Sequence, residues 1–125
     1  MIPPDETCKA LSDLNRMRIL TGLLSHQDLC ACQINEWLAV SGATASKHLG
    51  ILIRADLIQS RKEGRWVFYK LKKADPTNRK LMLWITESVQ KDPDLQRDLK
   101  QLRKVTSCSP NKLREKQRKE ATSCC

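Results

Sequence analysis

The stretch DLCACQIN places Cys30 and Cys32 one residue apart, immediately ahead of an apolar helical pattern. Thiolates are soft ligands that suit soft cations and trivalent arsenic, and arsenic(III) takes three sulfur ligands in a pyramid. The pair therefore needs a third sulfur. Because residues i and i+2 of a regular helix point about 200° apart, we expect both thiols to reach one ion only if the first helical turn opens.

Four further cysteines could supply the missing sulfur, and they lie near the two ends of the chain: Cys8, Cys108, Cys124 and Cys125. A disulfide framework is not expected, because long helical patterns and the lack of an export signal indicate a reducing, cytoplasmic compartment. A thiol redox sensor that forms disulfides would use the same cysteine clusters, and it is the alternative to metal or metalloid binding.

Positive charge is concentrated in the middle of the chain, whose 125 residues carry a formal net charge of +9. Residues 1–40 hold three Lys/Arg against five Asp/Glu, whereas residues 41–73 hold eight against two. A basic block of this kind indicates a polyanionic partner such as nucleic acid. An anionic membrane would also attract it. No apolar run approaches the roughly 18 residues of a spanning helix, so no membrane partner is expected.

Hydrophobic periodicity predicts three helices in the first half of the chain. One amphipathic helix is expected from Asp5 to Leu24, and a second, which begins at the cysteines, from Asp28 to Val40. Ser41 is a candidate N-cap for a third helix that contains ATASKHLGILIRADL. Two short helices joined by a tight turn with Gly are typical of a helix-turn-helix.

After the third predicted helix, the helical spacing of apolar residues gives way to a pattern typical of β-strands. LIQSRK and RWVFYKL are rich in β-branched and aromatic residues and flank Glu63 and Gly64, which predicts a β-hairpin. Two helical patterns follow, interrupted at Pro93. The expected fold is mainly α with a small β-hairpin, a winged helix-turn-helix domain over residues 1–104. Residues 105–125 are expected to form a flexible basic tail that carries the last three cysteines.

The helix-turn-helix and the hairpin both offer groups that could contact DNA. A recognition helix reads bases with side chains near its N-terminus. The candidates there are Ser41, Thr44, Ser46, Lys47 and His48. The hairpin tip adds Arg61, Lys62 and Arg65. A positively charged turn can lie along phosphates or enter a minor groove. His48 has a competing role as a partly buried histidine hydrogen-bonded between helices.

Four motifs resemble the ArsR/SmtB family of repressors: CKALSDLNRMRIL, DLCACQI, SGATASKHLGILIRADLI and RKEGRWVFYKL. In that order they are similar to the family's first long helix, its cysteine motif, its recognition helix and its wing. Together they span residues 8–71. The resemblance implies a homodimer that binds double-stranded operator DNA and releases it when a metal or metalloid binds.

The C-x-C motif is similar to that of arsenite and antimonite sensors, which implies As(III) or Sb(III) as the inducer. Many such sensors have a third cysteine three residues after the second, where this chain has Asn35. An N-terminal cysteine such as Cys8 beside C-x-C resembles the branch that senses Cd(II) or Pb(II), so those ions are the alternative. The family's other site, for zinc on the final helix, is not expected, because His26 and His48 are the only histidines.

Reading a symmetric operator requires two copies whose recognition helices lie about 34 Å apart. The expected dimer surface combines the first helix with the helix that follows Pro76. Its residues are Leu11, Leu14, Leu81, Trp84, Ile85 and Val89. The alternative is that the second of these helices only closes the core of the monomer.

Inducer binding is expected to open the helix start at the cysteines and to tilt the recognition helix that follows Ser41 and Gly42. An enzyme is not expected, because the sequence offers neither a Gly-rich phosphate loop nor an H-E-x-x-H motif.

Overall fold

The computed structural model describes residues 2–72 and 75–107. The helices in this part of the chain are α1 Pro4–Leu11, α2 Leu14–Ser25, α3 Ala31–Leu38, α4 Gly42–Arg54, α5 Pro76–Gln90 and α6 Pro93–Thr106. The strands are β1 Leu29–Cys30, β2 Ile58–Glu63 and β3 Trp66–Leu71. No helix within the described ranges is long and apolar enough to span a bilayer. The predicted tail lies outside the described residues from Cys108 onward.

The prediction of one continuous helix from Asp5 to Leu24 is wrong, because two helices, α1 and α2, occupy this stretch. Between α1 and α2, Asp13 adopts an extended backbone with φ −137° and ψ 133°. Its carboxylate accepts hydrogen bonds from the N–H groups of Asn15 and Arg16 at 2.8 and 3.2 Å. These are N-cap contacts, which satisfy donors at the start of α2 and so favour a new helix there.

The core takes buried residues from all of these helices and strands, and α2, α3 and α6 meet in it around Trp37. The Trp37 indole donates to the Asp98 carbonyl at 3.0 Å, and the Arg18 guanidinium lies 5.1 Å from the centre of the Trp37 ring. Arg18 also pairs with the Asp98 carboxylate at 2.8 Å. Gly22 permits this close approach, because a Cβ there would lie 2.9 Å from Leu102 Cδ2 and 2.9 Å from a Trp37 ring carbon.

The predicted hairpin is confirmed, with β2 and β3 antiparallel and joined at Gly64, whose φ is +61°. The sequence did not reveal that the sheet has a third strand: its order is β1-β3-β2. In β1, Leu29 lies opposite Tyr69 and Cys30 lies opposite Phe68. The helix-turn-helix is also confirmed, formed by α3 and α4, and the hairpin that follows is its wing.

Candidate thiol site and nucleic-acid interface

The two thiols of the C-x-C motif are already in contact. Cys30 caps α3 from outside the helix, with an extended backbone at φ −75° and ψ 149°. Only Ala31 and Cys32 are helical here, so the Cys30 side chain, as the N-cap, folds over the first turn of α3 and its Sγ lies 3.1 Å from the Sγ of Cys32. The expectation that the helix must open before both sulfurs face one ion is therefore wrong. Both side chains are buried, with 1% and 7% exposure.

The start of α3 favours a thiolate at Cys30. The hydrogen bond donated by the Cys32 thiol lowers the pKa of Cys30 to about 6, although burial acts in the opposite direction. Backbone N–H groups at the first turn of α3 also donate to this sulfur and lower its pKa. The same hydrogen bond, together with burial, raises the pKa of Cys32. The pair is thus a thiolate supported by a neighbouring thiol.

A cavity of ≈ 190 Å³ opens beside the thiol pair. It is lined by Cys30, Ala31, Cys32, Asn35, Arg65, Trp66 and Val67. Cys30 is the N-cap of α3, and Ala31, Cys32 and Asn35 lie in its first two turns; Arg65 lies in the turn of the wing, and Trp66 and Val67 begin β3. A ligand held by the two sulfurs would therefore lie between α3 and the wing.

The source of a third sulfur stays a prediction. Cys8 is exposed on α1. Among residues 2–72 and 75–107, no three His, Cys, Asp or Glu side chains come together as a metal site. Cys108, Cys124 and Cys125 lie outside the described residues. His26 is partly buried at the end of α2, where its ring nitrogens contact the Gly22 carbonyl and the Thr106 hydroxyl at 3.3 and 3.4 Å.

The start of α4 has the form predicted for a recognition helix. The Ser41 hydroxyl accepts a hydrogen bond from the Thr44 N–H at 3.1 Å, which confirms Ser41 as the N-cap. Thr44, Ser46 and Lys47 are exposed, so their side chains are accessible to a partner. Their contact with DNA stays a prediction.

His48 faces the protein rather than solvent. Its side chain is 12% exposed, and Nδ1 lies 3.3 Å from the Arg16 guanidinium and 3.9 Å from the Asp13 carboxylate. Arg16 also donates to the carbonyl of Ala10 at 2.8 Å. These contacts favour the competing role for His48, which joins the recognition helix to α2 at its N-cap.

The three predicted wing cations have different surroundings. Lys62 is exposed next to the Gly64 turn, and the exposed Arg65 side chain stacks over Trp66 at 5.1 Å from the ring centre. Arg61 instead donates to the carboxylates of Asp28 and Glu63 at 2.7 and 2.9 Å. The role of Asp28 was not identified from the sequence, because its partner lies 33 residues away along the chain.

The predicted dimer residues divide into two groups. Ile85 and Val89 are buried in the core of the protomer, as the alternative reading of this helix allowed. Leu11 and Leu81 are partly buried against that core. The other two, Leu14 and Trp84, are 70% and 56% exposed. Leu83, which the sequence did not single out, is 60% exposed beside Trp84. The helix α5 therefore buries one set of apolar residues in the core and exposes another set to solvent.

The sequence matches the family model described as "Bacterial regulatory protein, arsR family" over residues 13–60, from the N-cap of α2 into β2. The chain is 39% identical over 64 residues to the cadmium resistance transcriptional regulatory protein CadC of Listeria innocua. That match covers 51% of this chain and 54% of CadC, so the chain spans about half the length of this relative. This chain is also 33% identical over 90 residues to the arsenic resistance transcriptional regulator ArsR2 of Pseudomonas putida. That match covers 72% of this chain and 73% of ArsR2.

A solved structure has a similar fold. HlyU from Vibrio cholerae aligns with a TM-score of 0.59 at 28% identity, and the alignment covers 66% of this chain and 86% of HlyU. The winged helix-turn-helix predicted from the sequence is thus confirmed. With the family model spanning the helix-turn-helix and ArsR2 matched over most of its length, the chain belongs to the arsR family of bacterial regulatory proteins, which are DNA-binding regulators rather than enzymes.

Proposed function

We propose that this protein is a repressor that binds operator DNA as a homodimer and releases it when As(III) or Sb(III) is bound by cysteine thiolates. The observation that carries the proposal is the contact between the Cys30 and Cys32 sulfurs at 3.1 Å. Both arsenic and antimony in this oxidation state favour thiolate ligands, and a thiolate supported by a neighbouring thiol is ready to bind. The name of ArsR2, an arsenic resistance regulator, supports this choice of ligand.

The chemistry at the sulfurs is a ligand exchange. At each cysteine, arsenious acid, As(OH)₃, exchanges one As–O bond for one As–S bond and releases one water; a thiol supplies the proton for that water, and at the Cys30 thiolate the proton comes from solvent. Cys30 and Cys32 supply two of the three bonds, and we propose that Cys8, Cys108, Cys124 or Cys125 supplies the third. Because the two sulfurs are already paired and buried, binding does not first have to overcome the geometry of a helix.

The route from the thiols to the DNA-binding elements also differs from the sequence-based mechanism. Cys30 belongs to β1, which pairs with the wing strand β3, and it also caps α3, which leads into the recognition helix α4. A ligand in the cavity between Cys32 and Trp66 would act on the wing and on α3 together. We propose that this double attachment moves the wing relative to α4 and lowers the affinity for DNA.

The proposed dimer rests on the exposed apolar residues of the described part. Leu14, Leu83 and Trp84 expose more than half of their surfaces, and large exposed apolar groups commonly mark a protein interface. Trp84 lies on α5, and Leu14 lies at the start of α2. A second copy that covers both positions would bury the aromatic ring.

The test is release of DNA by titrated arsenite, antimonite, Cd(II) or Pb(II). The probe is a duplex selected from random sequence by repeated binding to the protein, and fluorescence anisotropy reports binding. Arsenite should release the wild-type protein but not Cys30→Ser or Cys32→Ser. Asn35→Cys adds a sulfur to the same cavity and should lower the arsenite concentration that is needed. Unchanged affinity for DNA in the presence of arsenite would contradict the proposal.

Cadmium or lead is the second candidate, because the relative CadC is named as a cadmium resistance regulator. In this case Cys8, from the same protomer or from its partner, would join the pair. Release by Cd(II) that is lost in Cys8→Ser, with no response to arsenite, would favour this alternative.

A redox switch is the third candidate, and the 3.1 Å contact between the sulfurs favours it. Hydrogen peroxide would accept two electrons and two protons from Cys30 and Cys32, which gives one disulfide and two waters. DNA release by peroxide that dithiothreitol reverses, without a response to arsenite, would identify this mechanism.

A further inference from the structure

Arg61 is a wing cation whose charge is directed toward the protein itself. Its Nη2 donates to Asp28 at 2.7 Å, its Nε donates to Glu63 at 2.9 Å, and the guanidinium carbon lies 4.9 Å from the centre of the Phe68 ring. Phe68 is the cross-strand partner of Arg61 in the sheet. The guanidinium is therefore held by two carboxylates and one aromatic face.

The charge balance of this cluster is unfavourable for binding DNA. One guanidinium faces two carboxylates, so Arg61, Asp28 and Glu63 together carry −1 on a wing that should approach a polyanion. The Arg61 and Asp28 side chains are 41% and 34% exposed, so solvent reaches the ion pair and a phosphate could exchange with the carboxylate. An exposed pair of this kind contributes little to stability.

The two carboxylates differ in where they are attached. Glu63 belongs to β2, the same strand as Arg61, and moves with it. Asp28 immediately precedes β1, outside the hairpin, so its contact ties Arg61 to the body of the domain. Release from Asp28 would let the Arg61 side chain turn to a phosphate while the sheet stays paired.

We propose that Asp28 competes with DNA phosphate for the guanidinium of Arg61 and so limits the protein's affinity for DNA. The inference rests on the proposed function, because it requires that the wing contact DNA. Asp28 lies outside both the recognition helix and the hairpin, yet it would control how strongly the wing binds phosphate.

The experiment measures binding to a labelled random-sequence duplex of about three helical turns, at salt between about 50 and 200 mM. Random sequence is suitable because contacts to phosphate do not depend on the bases. Asp28→Asn keeps the size of the side chain but removes its charge, and it should tighten binding about two- to fivefold at the low-salt end. Arg61→Gln should weaken binding and reduce the salt slope by about one.

Combining the two substitutions separates competition from simple repulsion. If Asp28 acts through Arg61, then Asp28→Asn has no further effect in the Arg61→Gln background. Asp94→Asn is the matched control, because it removes the same charge from an ion pair with Arg97 on α6, outside the wing. It should leave the affinity unchanged. Thermal unfolding of each variant should show that all of them remain folded.

Unchanged or weaker binding by Asp28→Asn would overturn the inference, and so would a gain in affinity that persists in the Arg61→Gln background. Either result leaves the proposed function intact if the wild-type protein binds DNA. A wild-type protein that binds neither this duplex nor a selected one would refute the proposed function and this inference together.

Discussion

Replacing Cys32 with Ala or Ser tests whether the thiol contact creates the thiolate. In the structure the Cys32 thiol donates to the Cys30 sulfur at 3.1 Å, and this hydrogen bond lowers the pKa of Cys30. Alanine removes the donor. Serine keeps an O–H group at the same position. The two variants therefore change the volume of the side chain similarly but differ in the hydrogen bond.

The expected change in pKa is large. A pKa of about 6 leaves roughly nine in ten Cys30 side chains ionised at pH 7, whereas an ordinary cysteine is only a few per cent ionised there. Without the Cys32 donor, burial is the largest single effect left at Cys30 and favours the neutral thiol, while the backbone N–H groups of α3 still favour the thiolate. Cys32→Ala should therefore raise the pKa of Cys30 toward the range of an ordinary thiol. Cys32→Ser should keep the pKa below that range.

The assay is a pH titration of thiolate absorbance in the ultraviolet, in a background in which the cysteines outside the C-x-C motif are serine. Alkylation by iodoacetamide at each pH gives a second reading of the same midpoint. The midpoint is the quantity to compare, because the intrinsic reactivity of a thiolate falls as its pKa falls. A Cys32→Ala variant that is folded and titrates at the same pH as its parent would refute this account of the thiol pair.

Three further predictions concern folding and assembly. Gly22→Ala should lower the free energy of unfolding by about 1–3 kcal/mol in urea, because its Cβ would lie 2.9 Å from side chains of α3 and α6. Gly50→Ala is the control: its Cβ would meet only the end of the Arg54 side chain, so it should raise the free energy of unfolding by about 0.5–1 kcal/mol. Trp84→Glu should shift sedimentation from dimer to monomer, and a monomeric wild-type protein would contradict the proposed interface. Ser41→Ala should cost about 1 kcal/mol of stability in chemical unfolding through loss of the α4 cap.

Local patterns in the sequence were sufficient for the elements of the winged helix-turn-helix. The hydrophobic period of α4, the N-cap at Ser41 and the strand-turn-strand pattern around Gly64 each depend on residues close together in the chain. The break at Asp13 was also within reach, because Ser-Asp is a common signal for a helix start. Apolar residues that continue through the break at helical spacing conceal this signal.

The thiol pair shows what local patterns could not decide. Spacing alone predicts that Cys30 and Cys32 point apart, since it assumes one continuous helix. The structure places Cys30 in β1 because that residue pairs with Phe68, which is 38 positions along the chain. Tertiary pairing keeps Cys30 extended and outside α3, so that its side chain folds over the first helical turn onto Cys32.

Charge partners and buried faces, like the thiol pair, depend on contacts between distant segments that local patterns do not reveal. The sequence by itself determined that a basic block follows the cysteines and that α5 carries an apolar stripe. Only the tertiary structure decided that Arg61 faces Asp28, and that Ile85 enters the core while Trp84 remains exposed. The physical reason is that helical or strand period is set by neighbours in the chain, whereas the partner of a charge or an apolar face is set by distant segments that folding brings together.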